Sequence, residues 1–200
     1  MIVGICGRTA AGKDTIVNEI KKEYHSKELR SYATRPMRPG EVDGEKYFFV
    51  SMEEFLKKKE DGFFAELVEY NGNYYGISKE EVALASNSSD VYTFIAIPSG
   101  LDDVEVCMGQ GGLFRAFVVC NNKVRNERFI SRLGKEATDA DYEMLEERNK
   151  IDSELFDGME YVCDLIVDNT TSTKDRPDAT RKLAISIVEA AREYYNEMER

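Results

Sequence analysis

A glycine-rich loop follows the first apolar segment of the chain and constrains the fold more than any other feature. Residues 2–6 form a short apolar run typical of a buried strand. The next residues read GRTAAGKDT, which gives the spacing G-x-x-x-x-G-K through Gly7, Gly12 and Lys13. Apolar residues then recur at helical spacing to about residue 24. Strand, loop and helix in this order predict a phosphate-binding loop at the start of an α/β domain.

The loop is expected to bind phosphate through its backbone. The N–H groups of residues 8–13 and the helix N-terminus behind them would surround a β-phosphate, and Lys13 would bridge the β- and γ-phosphates. The alternative is that the two glycines merely turn a strand into a helix. The predicted nucleotide-binding residues are Gly7, Arg8, Thr9, Ala10, Ala11, Gly12, Lys13, Asp14 and Thr15.

Asp14 stands where such a loop normally carries Ser or Thr. A carboxylate is tolerated there if Mg²⁺ lies between it and the phosphates, because this cation prefers oxygen ligands and keeps several waters. Thr15 is a neutral alternative ligand. Without a metal, Asp14 would be a helix-start residue favoured by the helix dipole. Asp14 is the predicted metal ligand, and the second interpretation stays open.

Composition excludes several classes of protein. The 200 residues carry a formal net charge of −11, which argues against a general nucleic-acid binder. No run of about 18 apolar residues occurs, so no membrane association is expected. The four cysteines lack C-x-x-C spacing, which favours buried free thiols in a reducing cytoplasm. We therefore expect a cytoplasmic protein, and the sequence does not indicate its oligomeric state.

The order of the remaining segments indicates a three-layer α/β core. Residues 91–97 and 114–120 are continuous apolar runs typical of parallel strands covered on both faces. Between the phosphate loop and these strands, Asn71-Gly72 predicts a hairpin inside a small β segment at about residues 34–77. Residues 123–157 are helical in pattern and strongly charged.

Two segments in this β region resemble guanylate kinase, the family of enzymes that phosphorylate GMP with ATP. YATRPMRPGEVDGEKYFFV and GFFAELVEYNGNYYGISKEEV contain T-R-x-x-R-x-G-E-x-D-G-x-x-Y-x-F and then G-N-Y-Y-G. The resemblance covers residues 1–82 and continues more weakly to about residue 170. It implies a P-loop kinase core with a parallel sheet, a small mixed-β insert that binds the nucleoside monophosphate (NMP), and a helical lid. The implied single domain divides into a core at 1–33, 78–127 and 158–200, an insert at about 34–77 and a lid at about 128–157.

The resemblance also implies where the monophosphate would bind. Arg35 and Arg38 lie on one proline-containing loop, where two guanidinium groups would clamp a phosphate. Glu66 matches the carboxylate that accepts from guanine N1–H and its amino group. Without the resemblance, the two arginines would be interpreted as solvated loop charges. The implied substrate-binding residues are Ser31, Arg35, Arg38, Tyr47, Glu66 and Tyr75.

The charged segment after residue 120 matches the lid of the family. Arg128 and Arg132 are four residues apart and share a helix face. Arg148 matches the arginine beyond the lid, although a solvated charged helix fits it equally well. No side chain is expected to attack covalently, because positioning and charge neutralisation suffice for phosphoryl transfer. The implied catalytic residues are Lys13, Arg38, Arg128, Arg132 and Arg148.

Three isoleucines depart from the family pattern. Ile77, Ile95 and Ile97 stand where the family has polar residues that contact the base or magnesium. Loss of such partners weakens base discrimination.

Taken as a whole, the resemblance implies an ATP- and Mg²⁺-dependent kinase for GMP or dGMP. The alternatives are a kinase for another (deoxy)nucleoside monophosphate and a non-catalytic binding module of the same fold.

Overall fold

The computed structural model describes residues 1–38, 40–70, 72–109, 111–171 and 178–198. Its strands are β1 (Ile2–Cys6), β2 (Lys27–Glu28), β3 (Ser31–Ala33), β4 (Tyr47–Phe49), β5 (Phe64–Tyr70), β6 (Asn73–Ser78), β7 (Tyr92–Ile95), β8 (Phe114–Val119) and β9 (Leu165–Asp168). Its α-helices are α1 (Lys13–Tyr24), α2 (Met52–Glu60), α3 (Lys79–Ser86), α4 (Pro98–Met108), α5 (Asn122–Ser131), α6 (Asp139–Leu155) and α7 (Ala179–Met198).

The core is a parallel sheet with the strand order β2-β7-β1-β8-β9. β1 pairs in parallel with β7 on one side and with β8 on the other. The loop after β1 therefore opens at the middle of the carboxyl edge, the place where α/β sheets bind their ligands.

Side chains alternate along β1 and divide the core into two clusters. Val3 and Ile5 pack with α1 and α7 on one face. Ile2 and Cys6 pack on the other face, with residues of α3 and α4. Helices thus cover both faces of the sheet, and the predicted three-layer architecture is confirmed.

The β insert is a separate mixed sheet with the order β4-β3-β6-β5. Helix α2 covers it through Phe55, which is fully buried and stacks on Phe64 with ring centroids 4.4 Å apart. Ser51 begins this helix and accepts from the backbone N–H of Glu54. Because β3 pairs with β4 and β6, the insert sheet begins at residue 31, three residues before the expected start.

The four cysteines differ in burial. Only Cys6 is buried among the four thiols; Cys107 is exposed, and Cys120 and Cys163 are half-buried, so the prediction of buried cysteines was wrong for Cys107. Its position on α4, outside the strands, explains the difference.

Asn71 of the predicted turn and Pro39 of the arginine loop lie outside the described residues. Across the described ranges, every helix is too short or too polar to cross a membrane.

Candidate active site

The phosphate loop has the backbone that its glycines allow. Gly12 has φ +93° directly before α1, and a Cβ there would also meet the Asn169 side-chain nitrogen at 2.3 Å. A Cβ at Gly7 would meet the Val118 carbonyl oxygen at 2.4 Å. Both positions therefore exclude other residues. Helix α1 begins at Lys13, so the predicted order of strand, loop and helix is confirmed.

The Lys13 side chain folds back over the loop. Its Nζ donates to the Gly7 carbonyl at 2.6 Å and to the Arg8 carbonyl at 3.2 Å. Burial lowers the pKa of this amine, whereas the nearby carboxylates of Asp14 and Asp152 oppose the shift. The ammonium thus lies in the centre of the loop, where a phosphate group would bind.

Two cavities meet at this lysine. The larger, of about 670 Å³, extends from the phosphate loop to the insert sheet. The smaller, of about 350 Å³, lies between the loop and the end of α5. Thr9, Lys13, Asp14 and Arg148 line both of them. The loop therefore faces the insert on one side and the lid helices on the other.

The insert sheet forms the far wall of the large cavity. Ser31 lies opposite Tyr47 in the β3–β4 pair and opposite Ile77 in the β3–β6 pair. Tyr75 joins them, and its ring packs edge-on to Tyr47 with centroids 6.2 Å apart. Of the six predicted substrate-binding residues, those that line the cavity are Ser31, Tyr47, Glu66 and Tyr75.

Glu66 is a buried carboxylate in this wall. Only 7% of the residue is exposed, and it lies opposite Ile77 between β5 and β6. Burial raises its pKa to about 7, helped by the charge of Asp103 and opposed by a backbone hydrogen bond from Ile77. A buried carboxylate needs hydrogen-bond donors in place of water, so this wall suits a ligand that donates hydrogen bonds.

The two arginines of the insert are arranged differently from each other. Arg35 is buried and donates to both oxygens of Glu41, at 2.6 and 2.5 Å, while its guanidinium stacks on Tyr47. This pair raises the pKa of Arg35 and lowers that of Glu41 to about 2. The Arg38 side chain is exposed, and its backbone N–H also donates to Glu41. In this structure Glu41 thus occupies the bidentate site that a phosphate would use.

The lid arginines also divide into two groups. Arg132 and Arg148 line the small cavity beside Lys13. Arg128 instead donates to the backbone of the loop, at the Ala11 carbonyl (3.4 Å), and to the Asn169 carbonyl that follows β9 (3.0 Å). The Asn169 amide donates to the same Ala11 carbonyl at 2.8 Å.

Comparison with known proteins identifies the family of the chain. The family model described as guanylate kinase matches residues 1–174. The chain belongs to the guanylate kinase family. A guanylate kinase of Wolinella succinogenes is 41% identical over 97 residues, which is 46% of this chain and 44% of that protein. A guanylate kinase of Helicobacter hepaticus is 28% identical over 175 residues, or 86% of this chain and 84% of that protein.

A crystal structure of a guanylate kinase from Anaplasma phagocytophilum supports the fold. It has a TM-score of 0.64 at 18% identity and covers 96% of this chain and 85% of that chain. The aligned part of the chain spans less than half the length of each of the first curated relatives that it matches.

The apolar departures from the family pattern lie in the cavity wall. Ile77, Ile95 and Ile97 all line the large cavity. Ser78 does not compensate for Ile77, because it is buried and its hydroxyl begins α3 by accepting from the Glu81 N–H. The wall around Glu66 therefore offers fewer hydrogen-bond partners than the family pattern implies.

Several charged residues of the site lie outside the predicted motifs. Arg125 and Asp152 contact Thr9 of the phosphate loop, and Lys46 lines the large cavity while pairing with Glu28 at 3.1 Å. Helical spacing could have identified Arg125 and Asp152, since Arg125 is three residues before Arg128 and Asp152 is four after Arg148. Both residues therefore share a helix face with a predicted lid arginine.

Proposed function

We propose that the protein transfers the γ-phosphoryl group of MgATP to GMP or dGMP, giving ADP and GDP or dGDP. The observation that carries this proposal is that Lys13 of the phosphate loop and the buried carboxylate of Glu66 line one cavity. A nucleotide phosphate at one end and a hydrogen-bond-donating base at the other fit this pair of groups. The family model includes both residues.

Charge neutralisation at the donor end would fall to the loop and the lid. Lys13 would exchange the carbonyls of Gly7 and Arg8 for phosphate oxygens when ATP binds. Arg132 and Arg148 would then add positive charge around the transferring group. Arg128 would contribute by holding the loop, because its guanidinium contacts the Ala11 carbonyl.

Binding of the monophosphate would require one exchange of partners. Arg35 would release Glu41 and take a phosphate, which offers the same bidentate geometry. The hydroxyl groups of Tyr47 and Tyr75 would donate hydrogen bonds to that phosphate. Arg38 would close over it from the exposed loop. Positioning of the acceptor oxygen against the γ-phosphorus then supplies most of the catalysis.

The residues present fit Mg²⁺ at Asp14. Its exposed carboxylate lines both cavities beside Lys13. No cluster of three His, Cys, Asp or Glu residues that could hold a metal occurs in the described part of the chain. Mg²⁺ commonly uses one or two carboxylates together with phosphate oxygens and waters, so a single carboxylate suffices. When bound, the ion would offset the negative charge of the phosphates.

The apolar wall of the large cavity favours a second candidate function, a kinase for another nucleoside monophosphate. The three isoleucines leave Glu66 as the main polar group that reads the base. The non-catalytic module has less support, because the backbone of the phosphate loop and Lys13 have the arrangement that nucleotide binding needs.

The test is kcat/KM for GMP, dGMP, AMP, CMP and UMP in a coupled ADP-release assay. Adenine would present a ring acceptor to the ionised form of Glu66 and leave that carboxylate unpaired, at a cost of about 1–3 kcal/mol. The assay is run at pH 8, where a carboxyl with a pKa of about 7 is mostly ionised. We therefore expect GMP to be preferred over AMP by at least about tenfold, and Glu66→Gln to reduce this preference. If AMP or a pyrimidine nucleotide were preferred over both guanine nucleotides, the guanine assignment would be wrong.

Partners and organisation follow from the same proposal. The partners would be small nucleotides in the cytoplasm. The chain would function as one domain, with an NMP-binding insert at about residues 34–77, whose sheet begins at residue 31, and a lid at about 128–157.

A further inference from the structure

Two charged residues of the lid helices hold the phosphate loop by a single residue, Thr9. Asp152 on α6 accepts from the Thr9 backbone N–H at 2.6 Å and from its hydroxyl at 3.3 Å. Arg125 on α5 donates to the Thr9 carbonyl at 2.8 Å and lies 3.3 Å from Asp152. All the backbone polar atoms of Thr9 are therefore bound to the lid helices.

Both side chains are almost fully buried, with exposures of 3% for Arg125 and 8% for Asp152. Asn122 and Asn149 accept from the other terminal nitrogen of the guanidinium, which fixes its plane. Its Nε has no hydrogen-bond partner among the described residues. A buried ion pair is an inefficient source of stability, and an incompletely bonded one more so. The arrangement is better explained by the position that it gives to Thr9.

The position of Thr9 matters because Arg148 is on the same helix face as Asp152. Residues four apart on a helix lie one above the other. Asp152 binds the loop directly, so the contact sets the distance between the loop and Arg148. Arg148 and Lys13 in turn line the same two cavities.

We propose that Asp152, held by Arg125, is a positioning residue for phosphoryl transfer: it fixes the phosphate loop against α6 so that Arg148 and Lys13 meet the same transferring group. This inference rests on the proposed function. Asp152 acts through Thr9 and Arg148 and does not itself contact the reacting atoms.

The test compares Asp152→Ala, Asp152→Asn and Arg148→Ala, together with the double variant Asp152→Ala/Arg148→Ala. Asp152→Ala should lower kcat by at least tenfold and leave KM for GMP within threefold, since the hydrogen bonds of Asp152 go to Thr9 of the phosphate loop and to Arg125. Asp152→Asn keeps an oxygen that accepts from the Thr9 N–H and should retain kcat within about fivefold. Glu147→Ala, at an exposed position of the same helix, is the matched control and should leave kcat unchanged.

The decisive comparison is the double variant. If Asp152 acts by placing Arg148, its removal from the Arg148→Ala protein should change kcat by less than threefold. A tenfold loss in both backgrounds would indicate a structural role alone and overturn the proposal, as would an Asp152→Ala protein with wild-type kcat.

Two further outcomes are distinguishable. If Asp152→Ala does not fold because Arg125 is left unpaired, Arg125→Leu/Asp152→Ala removes both charges, and a folded double variant with wild-type kcat would overturn the proposal. A wild-type protein that phosphorylates no nucleoside monophosphate would instead refute the proposed function, and the positioning role with it.

Discussion

Ionisation of Glu66 is expected to control the binding of GMP. Burial raises the pKa of this carboxyl to about 7. Only the ionised form offers two acceptors to guanine N1–H and the amino group, because the protonated acid replaces one acceptor by a donor. The apparent affinity for GMP should therefore rise with pH until Glu66 is fully ionised.

The size of the effect follows from the pKa. With a pKa of about 7, roughly one carboxyl in eleven is ionised at pH 6 and ten in eleven at pH 8, so the apparent Kd for GMP should fall about tenfold over this interval. The free energy of unfolding should change in the opposite direction and fall as the pH rises. The ordinary pKa is 4.5, and ionisation is penalised in the folded state, so stability is lost as the pH rises from about 4.5 to above 7. At 1.36 kcal/mol per pKa unit, this loss amounts to about 3 kcal/mol.

Calorimetric titration of GMP into wild type and Glu66→Gln at pH 6, 7 and 8 measures the first effect. The nucleotide phosphate also titrates near pH 6, but this contribution is common to both proteins. Urea unfolding of the free proteins at pH 5 and 8 measures the second effect, and the stability of wild type relative to Glu66→Gln should decline by about 2.5 kcal/mol, because part of the loss has already occurred at pH 5. Parallel pH profiles for the two proteins in both measurements would refute the reasoning.

Three further predictions concern other parts of the chain. Lys13→Ala should lower kcat at least about a hundredfold with the fold intact by circular dichroism, because charge on the transferring group loses its nearest cation; activity within tenfold of wild type would remove the lysine from the mechanism. Asp14→Ala should raise the Mg²⁺ concentration for half-maximal rate far more than KM for GMP, and an unchanged Mg²⁺ requirement would make Asp14 a helix-start residue only. Cys107 is exposed, whereas Cys6 is buried and its pKa is raised by a hydrogen bond to Cys163 and by burial. Iodoacetamide should therefore label Cys107 at least about a hundredfold faster than Cys6 in mass-spectrometric time courses, and equal rates would contradict the packing of β1.

Local features of this fold could be predicted from the sequence. The strand, loop and helix at residues 2–24 depend on neighbouring residues, and so do the helix starts at Ser51 and Ser78. The parallel strands could be recognised because strands covered on both faces are apolar throughout. The cavity residues of the insert came from the family resemblance, since spacing alone does not distinguish a ligand-binding tyrosine from a packed one.

Contacts between distant residues could not be predicted in this way. Asp152 lies 143 residues after Thr9 in the chain, and its helix has the charged composition of a solvated surface. Glu41 belongs to the motif T-R-x-x-R-x-G-E, yet in the structure it accepts from Arg35, one of the predicted phosphate ligands. In both cases the partner of a charge is decided by the packing of whole elements, which neither periodicity nor composition specifies.

The hydrogen bond from Asn169 to Ala11 also determines when the nucleotide site can be completed during synthesis. The amide that supports the phosphate loop lies 158 residues after Ala11 in the chain. At 5–20 residues per second, a ribosome needs roughly 8 to 30 s to add that length of chain. A nascent chain therefore carries the loop for at least this time without the residue that supports it. Nucleotides in the surrounding solution can stabilise only chains that have passed this point, because a ligand stabilises the state that binds it.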